Sequence, residues 1–169
     1  LLLCNHQSHY DVLLCAIAFL NRPFRAMGRK NLFKIPIIGW VLYQLGGISL
    51  NRGIADKQAV YTAIETLRED RPILIFPEGT RTSTGEIDKF APGFLLILKK
   101  NPVKVMPIAI AGADKSWPRG RKPTFKGKMG IAIGRPIDPK FLLDMPSGEA
   151  QKFMQRRVKR LQNALERIM

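Results

Sequence analysis

Four apolar residues, Ile73-Leu74-Ile75-Phe76, stand between Pro72 and Pro77. This short run constrains the fold more than any other feature. Each proline removes a backbone donor and blocks helix continuation, so the segment is too short to be a helix. An unbroken apolar run of this length reads as a strand buried on both faces. Both faces of the sheet must then be covered, and the parallel arrangement that this favours needs helical crossovers.

The flanking sequence supplies them. Leu1–Cys4, Arg25–Met27, Gly47–Leu50, Val103–Ala111 and Met129–Ile133 read as further short strands. Between them, Tyr10–Leu20, Pro92–Lys100 and Glu149–Ile168 read as helices, and Lys30–Leu45 as a broken helical stretch. Val60, Ile64 and Leu67 give Asp56–Asp70 the three-to-four spacing of an amphipathic helix. The prediction is an α/β fold: a single domain, residues 1–169, with a mostly parallel central sheet flanked by helices. A length of 169 residues suits one core. Ala113–Lys128, rich in Gly, Pro and basic residues, is expected to be a surface loop. Leu1–Cys4 reads as a strand entered in the middle of a longer chain, so a preceding membrane-associated segment is expected. Two cysteines, Cys4 and Cys15, cannot build a disulfide framework.

Three polar motifs each begin where a predicted strand ends: Asn5-His6-Gln7-Ser8-His9-Tyr10-Asp11, Gly47-Ile48-Ser49-Leu50-Asn51-Arg52 and Phe76-Pro77-Glu78-Gly79-Thr80-Arg81. Ligands of open α/β sheets bind beyond the carboxyl ends of the strands. Parallel strands therefore bring His6, Asp11, Arg52, Glu78 and Arg81 to one crevice. The set offers a base, a carboxylate partner and two arginines suited to phosphate or carboxylate. A neutral imidazole takes a proton from a hydroxyl, while a carboxylate orients it and stabilises its cation. No Gly-x-Ser-x-Gly elbow is present. The attacking hydroxyl is therefore expected to be the substrate's, in direct acyl or similar transfer without a covalent enzyme intermediate.

These residues resemble the lysophosphatidic acid acyltransferase (1-acyl-sn-glycerol-3-phosphate acyltransferase) family, bacterial type. Asn5-His6-x-Ser8-x-x-Asp11 is similar to its His-x4-Asp signature, and Phe76 to Arg81 to its substrate motif. Leu32-Phe33-x-Ile35-Pro36-x-x-Gly39-Trp40, Gly47 to Arg52, and Val105-Met106-Pro107-Ile108 follow in the family's order. The resemblance implies that His6 is the general base and Asp11 its orienting partner. Arg52 and Arg81 would bind the acceptor's phosphate, with Glu78 and Gly79 shaping that pocket. Arg29 would be a further phosphate contact, because a basic residue precedes the Leu-Phe block in the family. The implied substrates are a lysophospholipid acceptor and an acyl-CoA or acyl-carrier protein donor, with no cofactor and no metal. Glycerol 3-phosphate or a lyso-aminolipid is the alternative acceptor. The implied location is the cytoplasmic face of the inner (plasma) membrane. One departure stands out: Asn51 occupies the place before Arg52 where the family often has an acid.

Several residues keep two readings. Asp11 also suits a helix N-cap. Glu78 either holds its loop or touches substrate. Backbone N–H groups around Gly79 offer an oxyanion site, and Gly79 itself suits a backbone turn. Pro107 is expected at a sheet edge or bulge, in the wall of the site. His9 is expected to be structural or solvent-facing. The apolar stretch Phe33–Tyr43, flanked by Arg29, Lys30 and Lys34, suits core or an interfacial lipid contact. The C-terminal helix carries a basic face that suits solvent or a membrane surface. The net charge of +15 favours anionic partners. Aromatic residues make up 8% and lie mostly in apolar runs, which argues against stacking platforms and so against nucleic acid. An anionic membrane surface and anionic thioester donors are the expected partners.

Overall fold

The computed structural model describes residues 1–50, 56–118, 120–124 and 127–169. Six strands form one sheet: β1 (Leu2–Cys4), β2 (Arg25–Arg29), β3 (Ile48–Leu50), β4 (Ile73–Ile75), β5 (Met106–Ala111) and β6 (Gly130–Ile133). Their order is β3-β2-β4-β1-β5-β6. All neighbours run parallel except β5 and β6. The predicted α/β architecture with a mostly parallel sheet is therefore the observed one.

Strand alternation splits the interior into two cores. Leu1, Leu3, Ile73 and Ala109 face α3 (Lys57–Arg68), α4 (Gly93–Lys100), α6 (Pro139–Leu143) and α7 (Ser147–Glu166). Leu2, Cys4, Leu74, Ile108 and Ile110 face α1 (Tyr10–Ala18) and α2 (Pro36–Gln44). A short helix, α5 (Ala113–Ser116), follows β5. The broken stretch divides at Ile35, whose extended backbone precedes Pro36 and separates a 3₁₀ turn over Lys30–Lys34 from α2. Gly39 allows that bend, since a Cβ there would lie 2.3 Å from the Phe33 carbonyl oxygen. Both cysteines are buried and free. Among the described residues no helix is long and apolar enough to cross a membrane.

The order of the strands positions the site. From β1 the chain crosses to β2 and then β3 on one side. It returns to β4, beside β1, and then leaves for β5 on the other. Successive crossovers diverge at the β4–β1 pair, where Leu2 lies opposite Leu74 and Leu3 opposite Ile75. A crevice at such a switch point is where an open α/β sheet binds ligand.

Three expectations change. β2 runs on to Arg29 because Gly28 and Arg29 pair with Ser49 and Leu50 of β3, so Arg29 ends a strand beside β4. Pro107 lies in an interior strand, paired with Leu3. It sits near the start of β5, at the end of the sheet away from the crevice, and is not in the site wall. Its missing N–H falls one residue outside the β5–β6 ladder, where only its carbonyl bonds, accepting from Gly134. Finally, the stretch from Ala113 to Lys128 is not all surface: Ala113 and Ser116 are buried.

Candidate active site

The loop after β1 begins with a side chain acting as backbone. Asn5 continues the parallel ladder beyond Cys4: its Oδ1 accepts from the Ile110 amide at 2.7 Å, and its Nδ2 donates to the Ile110 carbonyl at 2.9 Å. Gln7 ties the same loop to Ala113, whose N–H its Oε1 accepts at 3.1 Å. With both ends held, the loop presents His6 to the crevice.

Asp11 organises what lies between. One oxygen, Oδ2, accepts from His6 Nδ1 at 2.7 Å, Gln7 N–H at 2.7 Å and Ser8 N–H at 2.8 Å. Asp11 is fully buried in the first turn of α1. It stands after the N-cap position, which His9 occupies without a side-chain cap bond, and the amides it accepts belong to Gln7 and Ser8, ahead of the helix. The N-cap reading therefore fails, and the carboxylate instead ties the His6 ring to the loop before the helix. With Nδ1 bonded to Asp11, Nε2 is the ring nitrogen directed away from that carboxylate. Phe76 stacks on the imidazole at 4.2 Å between centroids and 20° between planes, which fixes the tilt of the ring.

The loop after β4 holds His6 by its backbone. Glu78 Oε1 accepts the His6 N–H at 2.7 Å, and Thr82 N–H donates to the His6 carbonyl at 2.8 Å. Glu78 Oε2 accepts from Asp88 N–H at 2.8 Å. Both carboxylate oxygens therefore bond to backbone amides. Burial pushes the Glu78 carboxyl up to about 7, against the downward pull of these two amides. Gly79 adopts φ +68, and a Cβ there would meet nothing, so backbone conformation alone calls for glycine. Its N–H donates to the Phe76 carbonyl at 3.0 Å, which closes the turn. That amide is engaged within the turn. The Gly79 carbonyl accepts from the Arg29 guanidinium.

These groups line one cavity of about 190 Å³. His6, His9, Arg29, Gly79, Thr80 and Arg81 make its polar part. Val12, Ala26, Leu32, Ile38, Leu42 and Leu50 make an apolar wall. His6, Gly79, Arg81 and Arg29 are thus brought together; Asp11 and Glu78 stand behind them, bonded to His6. Arg52 and its neighbour Asn51 lie outside the described residues.

His9 answers to the structural half of its expectation, and Trp117 escaped sequence reading. His9 lines the cavity and is only 8% exposed, with its ring edge-on to Trp117 at 4.9 Å. Burial, reinforced by Arg81 and His6, lowers its pKa to about 4, so it is neutral at pH 7. Trp117 also meets Tyr10 at 5.2 Å and takes the Ser8 hydroxyl on its carbonyl at 3.1 Å. The one sequence signal for it was a large aromatic in an otherwise small and basic segment.

An open α/β sheet whose crevice holds a His–carboxylate pair, arginines and an apolar wall has the chemistry to move a proton beside an anionic, partly apolar ligand. The Acyltransferase family model matches residues 1–111, and the chain belongs to that family. A 1-acyl-sn-glycerol-3-phosphate acyltransferase of Chlamydomonas reinhardtii is 31% identical over 140 residues, 80% of this chain and 41% of that one. The protein of that name in Bacillus subtilis is 29% identical over 169 residues, 98% of this chain and 82% of its own. The crystal structure of the 1-acyl-sn-glycerophosphate (LPA) acyltransferase from Thermotoga maritima superposes with a TM-score of 0.81 at 32% identity, covering 98% of this chain and 65% of that one. This chain spans about two fifths of the algal relative's length.

Proposed function

We propose that this acyltransferase moves a fatty acyl group from acyl-CoA or acyl-carrier protein to the free hydroxyl of 1-acyl-glycerol 3-phosphate, giving phosphatidic acid. The observation that carries this reading is the 2.7 Å bond from His6 to buried Asp11 at a cavity with cationic and apolar sides. The apolar side suits an acyl chain, and the arginines suit a phosphate. The names of the relatives support the same acceptor.

In the proposed mechanism His6 Nε2 takes the hydroxyl proton as the oxygen bonds to the thioester carbon. Asp11 holds the Nδ1–H tautomer and stabilises the imidazolium. The C–S bond then breaks, and the imidazolium proton is available to the departing sulfur. A thiol of pKa about 8.5 leaves readily, so no metal or redox group is needed. Arg81 binds the phosphate, with Arg29 and Arg52 as further contacts. Glu78 acts through His6 as a positioning residue. Lipid acceptor and product, together with a charge of +15, suit an anionic membrane surface, and its cytoplasmic face is the side proposed.

The test offers lysophosphatidic acid, glycerol 3-phosphate and lyso-aminolipids, each with acyl-CoA and acyl-carrier protein. Lysophosphatidic acid is expected to be the preferred acceptor. Full activity in His6→Ala would overturn the mechanism, and preference for another acceptor would overturn the substrate assignment.

A further inference from the structure

α1 and α2 pack against each other over one face of the sheet, and their outward sides form an unusual surface. Ile37, Trp40 and Tyr43 recur every third residue along α2 and are 68%, 64% and 79% exposed. Ile17 and Leu20, at the end of α1, are exposed as well. Together these are half of the ten large apolar side chains that stand exposed among the described residues. The two helices contain no Lys, Arg or Glu, and their one charged residue, Asp11, is fully buried. At the chain's 24% share, about four of those eighteen residues would be charged.

The rim has the opposite character. Lys30 and Lys34, in the turn just before α2, are exposed, and Arg22 follows α1. Apolar side chains with Trp and Tyr at the centre and lysines at the edge match a bilayer interface. There aromatic rings sit at headgroup depth, and long basic side chains reach anionic lipid. The inner sides of the same helices supply Val12, Ile38 and Leu42 to the catalytic cavity. One helix thickness therefore separates this surface from the site.

We propose that the outer face of α1 and α2, centred on Ile37, Trp40 and Tyr43, docks on an anionic lipid bilayer, with Lys30 and Lys34 at its headgroups. The basic face of α7 is not the docking element. Its exposed Lys152, Arg156 and Arg160 have one exposed ring beside them, Phe141 on Phe153, and no apolar row like that of α2. Docking follows from the surface alone. That the docked pose serves the cavity with lipid rests on the acyltransfer reading.

The experiment measures partition of the 169-residue chain onto phosphatidylglycerol–phosphatidylcholine vesicles. A Trp117→Phe background leaves Trp40 as the sole tryptophan. Trp40 emission is expected to shift to the blue and to be quenched by lipids brominated near the headgroup. Ile37→Ser/Trp40→Ser/Tyr43→Ser should partition at least about tenfold more weakly while keeping its circular dichroism. It should also keep its rate on a short-chain soluble acceptor. Lys152→Gln/Arg156→Gln/Arg160→Gln should stay within about twofold of the parent. A bound protein with unshifted Trp40, or loss of binding in the α7 variant alone, would overturn the proposal. So would an α2 face that changes only self-association in sedimentation. Docking through Trp40 without acylation of any acceptor would sustain the proposal and sink the acyltransfer reading.

Discussion

Two loops hold His6, and they hold different parts of it. The loop after β1 grips the ring: a fully buried Asp11 gathers Nδ1 and two amides on one oxygen. The loop after β4 grips the main chain: the partly exposed Glu78 uses one oxygen on His6 N–H and the other on Asp88 N–H. The first carboxylate sets how the ring is turned. The second sets where the residue stands. Two acids five and seventy-two residues away from one histidine thus divide its ring from its main chain.

The comparison is tested first where the effect should be largest. Asp11→Asn should lower kcat by about 10³–10⁴-fold, because an amide favours the wrong imidazole tautomer. His6→Ala should cost about 10²–10⁴-fold. Single-turnover acyl transfer measures both. A near-normal rate for Asp11→Asn would remove the distinction between the two carboxylates.

Glu78→Gln comes next. It places an amide donor against one of two backbone N–H groups, so a loss of tens-fold in kcat is expected, with KM for the donor little changed. Its second signature is in stability. The folded carboxyl titrates near 7 and the free one near 4.5, so the folded state holds the extra proton between these values. That contribution is complete below about 4.5 and is lost as pH rises through about 7. Glu78→Gln should abolish this slope in urea melts taken across the window.

Arg81→Gln should mainly raise acceptor KM, by about 10–100-fold, which is what loss of one charge-assisted contact costs. If kcat falls instead, Arg81 serves the transition state. The smallest effect concerns His9, whose pKa falls from 6.5 to about 4 on folding. Its share of stability is present above about 6.5 and is lost as pH drops toward 4, opposite in sign to that of Glu78. His9→Gln should therefore leave the Glu78 slope uncovered, and pH-dependent melts of the two single variants should deviate in opposite directions.

Much of this fold was legible because its signals are local. Pro72 and Pro77 delimit β4, Pro36 divides the helical stretch at Ile35, and the spacing of Val60, Ile64 and Leu67 marks α3. His6 with Asp11 was legible too, since both lie on one loop. The jobs of Asn5, Gln7 and Glu78 were not. Their partners, Ile110, Ala113, His6 and Asp88, are backbone groups, which carry no side-chain signature. His9 and Trp117 meet only after β5 and α5 have folded against α1, 108 residues apart in sequence.

Local signals were enough for most element types, the buried strands and the family that the motifs resemble, because periodicity, proline and residue type act over a few residues. Tertiary structure alone decided that β4 inserts beside β1. Strand adjacency is a long-range pairing driven by burial of Leu2, Leu3, Leu74 and Ile75, and no local spacing encodes it. That insertion brings Glu78 and Thr82 onto the backbone of His6.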